Sequence, residues 1–183
     1  SFPIWTTTPW TLPANQAVCL HPDIEYSLIE LSFDQQHTYI ICATDLIETT
    51  IARMSPKQHH VIGTAPGKGL EDIQLQHPFM ERHVPIILGE HVTTDAGTGC
   101  VHTAPAHGQD DYIVGQKYHL ATDTAITATS HFNDDISALS GMTIPEGNRT
   151  IIEIMQQNHT LLAHEKIEHS YPHCWRHKTP LIF

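Results

Sequence analysis

A chain of 183 residues, 40% of them hydrophobic, can bury a full core, and its composition excludes collagen, coiled coil and bulk disorder. The longest uncharged apolar runs, Tyr39 to Ala43 and Val84 to Leu88, fall far short of the roughly 20 residues of a membrane-spanning helix, so a soluble protein with no membrane partner is expected. A formal net charge of -11 with only nine Lys and Arg weighs against a nucleic-acid binder, since phosphate contacts need clustered Lys or Arg. It leaves room for a domain that receives a strand end held elsewhere.

Four widely spaced cysteines, Cys19, Cys42, Cys100 and Cys174, form no CxxC pair. That argues against a thiolate zinc site or a disulfide scaffold and for reduced thiols in the cytoplasm. Sixteen histidines add positive charge below about pH 6.5. The chain opens on Ser1 and stops on Pro180-Leu181-Ile182-Phe183, and both ends read as cuts from a larger protein.

In chain order, Ser1 to Asn15 carries three consecutive threonines, two tryptophans and three prolines, which predicts an extended strand entering a rigid turn rather than a helix. Gln16 to Leu20, Glu25 to Phe33 and Thr38 to Ala43 are short β-branched or alternating runs, predicting consecutive antiparallel strands. Asp45 and Glu48 make a D-x-x-E capping box before a helix of about ten residues that Pro56 ends. Val61 to Gly69 reads as turn, and His83 to Leu88 and Glu90 to Thr94 as strands around Gly89.

Asp95 to His107 is loop or tightly turned strand, after which Asp110 or Asp111 opens a helix through Tyr118. Residues 121–147 are polar and irregular. Ile151, Ile154, Met155, Asn158 and Leu162 then mark a second amphipathic helix, and His169 to Phe183 reads as an exit strand. Strands with two or three helices attached predict a mainly β fold: a closed β-barrel with peripheral α-helices, as a single domain over residues 1–183.

Two segments combine small, polar and turn-forming residues as a closely approached ligand requires: WTTTPWTLPAN at 5–15 and GTGCVHTAPAHGQDDY at 97–112. In the first, Thr6, Thr7 and Thr8 offer hydroxyls and backbone N–H groups, with Trp5 and Trp10 as apolar walls. The bland alternative is a β-branched strand with packed tryptophans. In the second, Gly97 and Gly99 allow close backbone approach while His102, His107, Asp110 and Asp111 converge on a helix start. An ionised Asp in a first helical turn keeps a low proton affinity and suits an ammonium partner better than the role of a base. Helix capping by Asp110 is the alternative.

His102, His107 and a carboxylate are also ligand types that zinc accepts, although H-x4-H fits no helix face. His169, His173, Cys174 and His177 form another cluster of the kind sixteen histidines produce by chance. Gly63 to Gly69 is one residue short of a phosphate-binding loop and has Gly69 in place of the magnesium-binding Ser or Thr. There is no G-x-S-x-G and no supported covalent nucleophile, so a hydrolase built on this chain must activate water.

WTTTPWTLPAN, DAGTGCVHTAPAHGQDDY with the following VGQKY, and HSYPHCWRHKTPLIF resemble the inserted editing domain of bacterial-type isoleucyl-tRNA synthetases. The blocks cover about a quarter of the chain and lie at its start, middle and end. The resemblance implies a barrel inserted in a Rossmann-type class I synthetase. It further implies hydrolysis of the aminoacyl ester of valine mischarged on isoleucine tRNA, with correctly charged isoleucine excluded by size. On that reading Asp111 binds the α-ammonium, Thr6, Thr7 and Thr8 position ester, ribose and water, His102 is the excluding wall and Trp10 meets the valine side chain. Trp5 and His107 complete the substrate-binding set, and in the block from His169 to His177 Trp175 by stacking or Arg176 by charge meets the tRNA 3′ end, with structural packing of that block as the alternative. No metal or other cofactor is implied here; the parent synthetase would use ATP and a divalent metal. The partners are the tRNA 3′ end and the remaining synthetase domains. Arg53-Met54-Ser55-Pro56-Lys57 only superficially resembles KMSKS, and Ala106 stands where a glycine is expected before His107. A metal-dependent hydrolase using His102, His107 and Asp111, and a non-catalytic binding module, are the alternatives.

Overall fold

The computed structural model describes residues 1–34, 36–165, 172–179 and 181–182. The strands are β1 (Ala17–Leu20), β2 (Glu25–Phe33), β3 (Gln36–Ala43), β4 (Gln58–Pro66), β5 (Gln74–Gln76), β6 (His83–Leu88) and β7 (Val101–Thr103). The helices are α1 (Ile47–Ala52), α2 (Gln109–Lys117) and α3 (Ile144–Gln157). They make two sheets, a four-stranded one in the order β5-β6-β1-β7 and a three-stranded one in the order β3-β2-β4. Among the described residues the fold is mixed α/β with more strand than helix, and no closed barrel forms. Closure needs pairable strands at both edges, whereas β5 and β7 are three residues long and β4 lies exposed at its edge.

β1 is buried at all four positions and therefore sits centrally, parallel to β6 (Val18 opposite Ile86) and antiparallel to β7 (Val18 opposite His102). The expected run of three consecutive antiparallel strands holds only for β2 and β3, whose register carries Ile29 opposite Ile40. β4 replaces the expected turn over residues 61–66, and only Gly67–Gly69 keeps it, as a 3-10 turn. Its pairing with β2 shifts between Leu28 and Ile29, and Gly63 sits beside that bulge, which is why the glycine did not end the strand. Glu90 to Thr94 is turn rather than strand, because Val92 is buried against α2 instead of entering a ladder.

Four apolar clusters hold these layers. Val18, Leu20, Tyr26, Ala43 and Ile86 fill the space between the sheets, and Ile29, Leu31, Ile40, Ile47 and Ile51 seat α1 on the three-stranded sheet. Ala17, Cys19, Ile87 and Val114 seat α2 on the other. Trp10, Leu12, Phe132, Leu139 and Ile151 join the N-terminal segment to α3 and to the irregular stretch before it.

Helix starts differ from expectation. Asp45 falls inside a 3-10 turn, Thr44–Leu46, the Thr44 hydroxyl is engaged by Ser27 at 2.8 Å, and α1 begins at Ile47 without a side-chain cap. The capping box is instead Thr143 with Glu146, whose carboxylate accepts the Thr143 N–H at 2.9 Å and hydroxyl at 2.7 Å. α3 accordingly begins inside the stretch expected to be irregular and ends before Leu162. The described part of the expected exit strand, residues 172–179 and 181–182, folds back on itself: Lys178 N–H donates to the Cys174 carbonyl and Cys174 N–H to the Thr179 carbonyl, each at 2.8 Å, and Leu181 N–H donates to the Pro172 carbonyl at 3.0 Å. His169 lies outside the described residues. No helix among them is long and apolar enough to cross a membrane.

Candidate active site

The N-terminal segment forms one wall of the candidate site. Thr6 accepts the Thr8 N–H at 3.0 Å on its hydroxyl, and the two hydroxyls lie 3.3 Å apart, so the threonines make a compact turn. Residues Pro9–Ala14 then form a 3-10 helix where an extended strand and turn were expected. Pro9 favours this, since its fixed φ and missing N–H suit a first helical position. Thr11 returns both its N–H and its hydroxyl to the Thr8 carbonyl, each at 3.0 Å.

The opposite wall is β7 with its flanking loops. Gly97 (φ +79°) and Gly99 (φ +75°) occupy the left-handed region, and a Cβ at Gly99 would strike Ala43. Between them Thr98 donates its hydroxyl to the Pro3 carbonyl at 2.6 Å, fastening this loop to the threonine segment. Gly108 precedes α2, and neither Asp110 nor Asp111 caps the helix with its side chain. Asp111 instead turns back so that its Oδ2 accepts the Ala104 N–H at 2.9 Å.

His102 lies between the walls with both ring nitrogens engaged. The Asn15 amide nitrogen lies 2.6 Å from Nδ1 and 2.9 Å from the Ala17 carbonyl. A carbonyl only accepts, so that amide nitrogen is the donor and Nδ1 the acceptor. The proton therefore sits on Nε2, which points at the Thr11 hydroxyl 3.0 Å away. Burial, then the positive charges of His77, His107 and Arg82, depress the His102 pKa to about 3, so the ring is neutral.

These walls enclose a cavity of about 270 Å³ lined by Trp5, Thr6, Thr8, His102, His107 and Asp111, among others. Of the residues expected from sequence, Thr7 is exposed and does not line it. Trp10 is buried behind it, its ring edge-on to His107 at 4.9 Å. Trp175 is 77% exposed, stacks with Arg176 and contributes nothing to the lining. Thr11, Thr93, Thr98 and Cys100 line the cavity without having been singled out. The available signal for Thr11 and Asn15 was polarity at positions surrounded by Trp, Leu, Pro and Ala, all buried here.

The proton affinity of Asp111 is opposite to expectation. Burial raises its pKa above the usual carboxylate value, against the lowering effect of the Ala104 N–H and the nearby His91 and His107. The helix-start argument assumed a solvated carboxylate; a partly buried one gains less from water than it loses. No group of three or more His, Cys, Asp or Glu side chains among the described residues is placed to hold a metal, and the Nδ1 lone pair of His102 is already taken by Asn15. The metal alternative does not fit this donor set.

Two threonines, one neutral imidazole and one carboxylate thus face a single small cavity between the N-terminal segment and β7. A family model described as "Leucyl-tRNA synthetase, editing domain" matches residues 35–166, and the chain belongs to that family, as the editing-domain region of isoleucine–tRNA ligases. It is 52% identical over 181 residues to the isoleucine–tRNA ligase of Legionella pneumophila (strain Paris), covering 99% of this chain and 19% of that protein. It is 51% identical over 181 residues to that of Coxiella burnetii (strain Dugway 5J108-111), with the same coverage. The chain thus spans about a fifth of the length of these relatives. Among solved structures it resembles "The crystal structure of GlLeuRS-CP1", with TM-score 0.66, 13% identity and 89% and 83% of the two chains covered. It also resembles the P. falciparum cytosolic leucyl-tRNA synthetase editing domain, with TM-score 0.61, 11% identity and 86% and 77% covered. At these identities the likeness is one of fold.

Proposed function

We propose that residues 1–183 act as one editing domain that hydrolyses the aminoacyl ester of valine carried on isoleucine tRNA and rejects isoleucine by size. The observation that carries this reading is the juxtaposition of Thr6, Thr8, His102 and Asp111 around one cavity of about 270 Å³. A hydrophobic synthetic pocket gains only about 1–3 kcal/mol from one methylene, a limit for which isoleucine against valine is itself the standard example. A second site that excludes the larger side chain overcomes that limit by repulsion.

The residues divide the work as follows. Asp111, held by Ala104, receives the substrate α-ammonium; the incoming cation favours its ionised form and offsets the cost of burial. The Thr6 and Thr8 hydroxyls orient the ester and the attacking water. His102 is no general base, because its Nδ1 lone pair is occupied and its proton affinity is depressed. It acts as a rigid wall. Trp10, buried behind His107, backs the cavity rather than meeting the valine side chain directly. Thr7 and Trp175 stand outside the lining, and any contact with the tRNA 3′ end belongs to the complex with tRNA and the remaining synthetase domains. The acidic balance of the chain accords with tRNA being held chiefly by those other domains.

The test is deacylation of Val-tRNA and Ile-tRNA, both made on isoleucine tRNA, by the chain and by Asp111→Ala and His102→Ala. Valine release alone, abolished by Asp111→Ala and joined by isoleucine release in His102→Ala, is the expected result. Binding of either ester without turnover would establish a binding module instead.

A further inference from the structure

The end of the 3-10 helix, Leu12 to Asn15, carries the amide that holds His102. Pro13 has no N–H, and the C-cap Asn15 closes the last turn with its N–H on the Leu12 carbonyl at 3.0 Å. Its carbonyls are satisfied from behind, away from the pocket. His77 donates Nε2–H to the Leu12 carbonyl at 2.9 Å, its Nδ1 accepting N–H groups of Phe79 and Met80. Arg82 places a single guanidinium nitrogen, Nη2, 2.6 Å from both the Pro13 and the Asn15 carbonyls.

We propose that Arg82 is a positioning residue for size selection: it fixes the Pro13 and Asn15 carbonyls and thereby holds the Asn15 amide in the one orientation that locks the His102 ring. The inference rests on the reading of His102 as the excluding wall. Arg82 is half-buried, makes no ion pair among the described residues, and leaves its Nε–H buried without a hydrogen-bond partner. A charge in such a place is costly, and a fold needing only to satisfy two carbonyls could use a neutral donor or water. What the guanidinium adds is two charge-assisted hydrogen bonds from one rigid planar group, which fixes the separation of the two carbonyls. The path onward is short. The Asn15 backbone is held by Arg82, its amide nitrogen spans the Ala17 carbonyl and His102 Nδ1, and His102 Nε2–H meets Thr11. A wall that discriminates by one methyl group must not yield by even a fraction of an ångström, and this chain of contacts is what keeps it from turning aside.

The experiment compares the unsubstituted chain with Arg82→Met, which keeps the length and removes the donors, and with Arg82→Lys, which keeps the charge but not the planar fork. Two readouts are taken: the 15N imidazole signals of His102, which report its tautomer, and release of valine and isoleucine from the two esters on isoleucine tRNA. The unsubstituted chain should show Nε2–H alone. In Arg82→Met the signals should move toward an average of both tautomers, and the valine-to-isoleucine release ratio should fall by about tenfold with valine release itself little changed. Arg82→Lys should lie between. A tautomer and a ratio unchanged in Arg82→Met would overturn the proposal, even if the melting temperature fell, and reduce Arg82 to a structural staple. If Arg82→Met does not fold, the same two readouts on Arg82→Lys decide. If the unsubstituted chain releases neither amino acid, the hydrolytic reading fails, and the imidazole signals still decide whether Arg82 locks the ring.

Discussion

The carboxylate of Asp111, in the first turn of α2, accepts the backbone N–H of Ala104, the residue that follows β7, and burial raises its proton affinity while it does so. The ionised form is thus held at a cost to folding. With the folded-state pKa above the unfolded one, this group's contribution is fully present below the usual carboxylate pKa and is lost as pH rises through the raised value. Asp111→Asn keeps an acceptor for Ala104 and removes the charge. The expected outcome is an equal or higher melting temperature at pH 7, with each kcal/mol of relief worth about 2–4 °C in a domain of this size, together with loss of valine release. Scanning calorimetry at pH 7 and again near pH 4, where the difference should shrink, checks it.

Acid should destabilise the fold before most carboxylates titrate. Burial depresses the pKa of His77 to about 4 and that of His102 to about 3, whereas both titrate near 6.5 when unfolded. Between those values the unfolded chain binds more protons, so stability is full above about pH 6.5 and falls as pH drops. Two such groups give a slope of up to about 2.7 kcal/mol per pH unit. His77→Gln retains a donor for the Leu12 carbonyl and should roughly halve the slope, read from urea midpoints at pH 7, 6 and 5.

Gly147 lies within α3, where Ala ordinarily stabilises a helix by about 0.8–1 kcal/mol. A Cβ there would collide with the ring of Phe132, itself 1% exposed. The sign should reverse: Gly147→Ala is expected to cost about 1–3 kcal/mol, measured by denaturant unfolding.

The Tyr26 hydroxyl accepts the His21 N–H at 3.0 Å and donates to the Gly99 carbonyl at 2.7 Å, in a side chain 1% exposed. Tyr26→Phe should cost about 2 kcal/mol, because two buried backbone groups lose their partner at once. Its unfolding midpoint against that of a surface variant such as Tyr39→Phe measures the difference.

Elements whose signal is local were legible in the sequence. The β2–β3 pair follows from alternation on either side of a polar turn, and α2 from the acidic residues after a loop. Partnership was not legible: nothing in Ala17–Leu20 says that it lies between β6 and β7, since the pairing is decided by residues far along the chain. Both threonine and histidine blocks were readable from composition as a candidate site, and Thr6, Thr8, His102 and Asp111 line one cavity. Arg82 and His77 were invisible, because their role is set by two carbonyls on a distant segment and leaves no motif. The proton affinity of Asp111 was misjudged for the same reason: burial is a tertiary property.

The parallel pairing of β1 with β6 has a temporal consequence. A hairpin such as β2–β3 closes on itself within a few residues, but Val18 must wait for Ile86 and then for His102 before it has either neighbour. Contacts so distant in sequence carry a larger loop-closure cost and assemble late. A nascent chain stalled before residue 101 has every strand of the three-stranded sheet and no cavity at all. The cavity therefore forms late, when β7 and the segment from Ala104 to Asp111 dock.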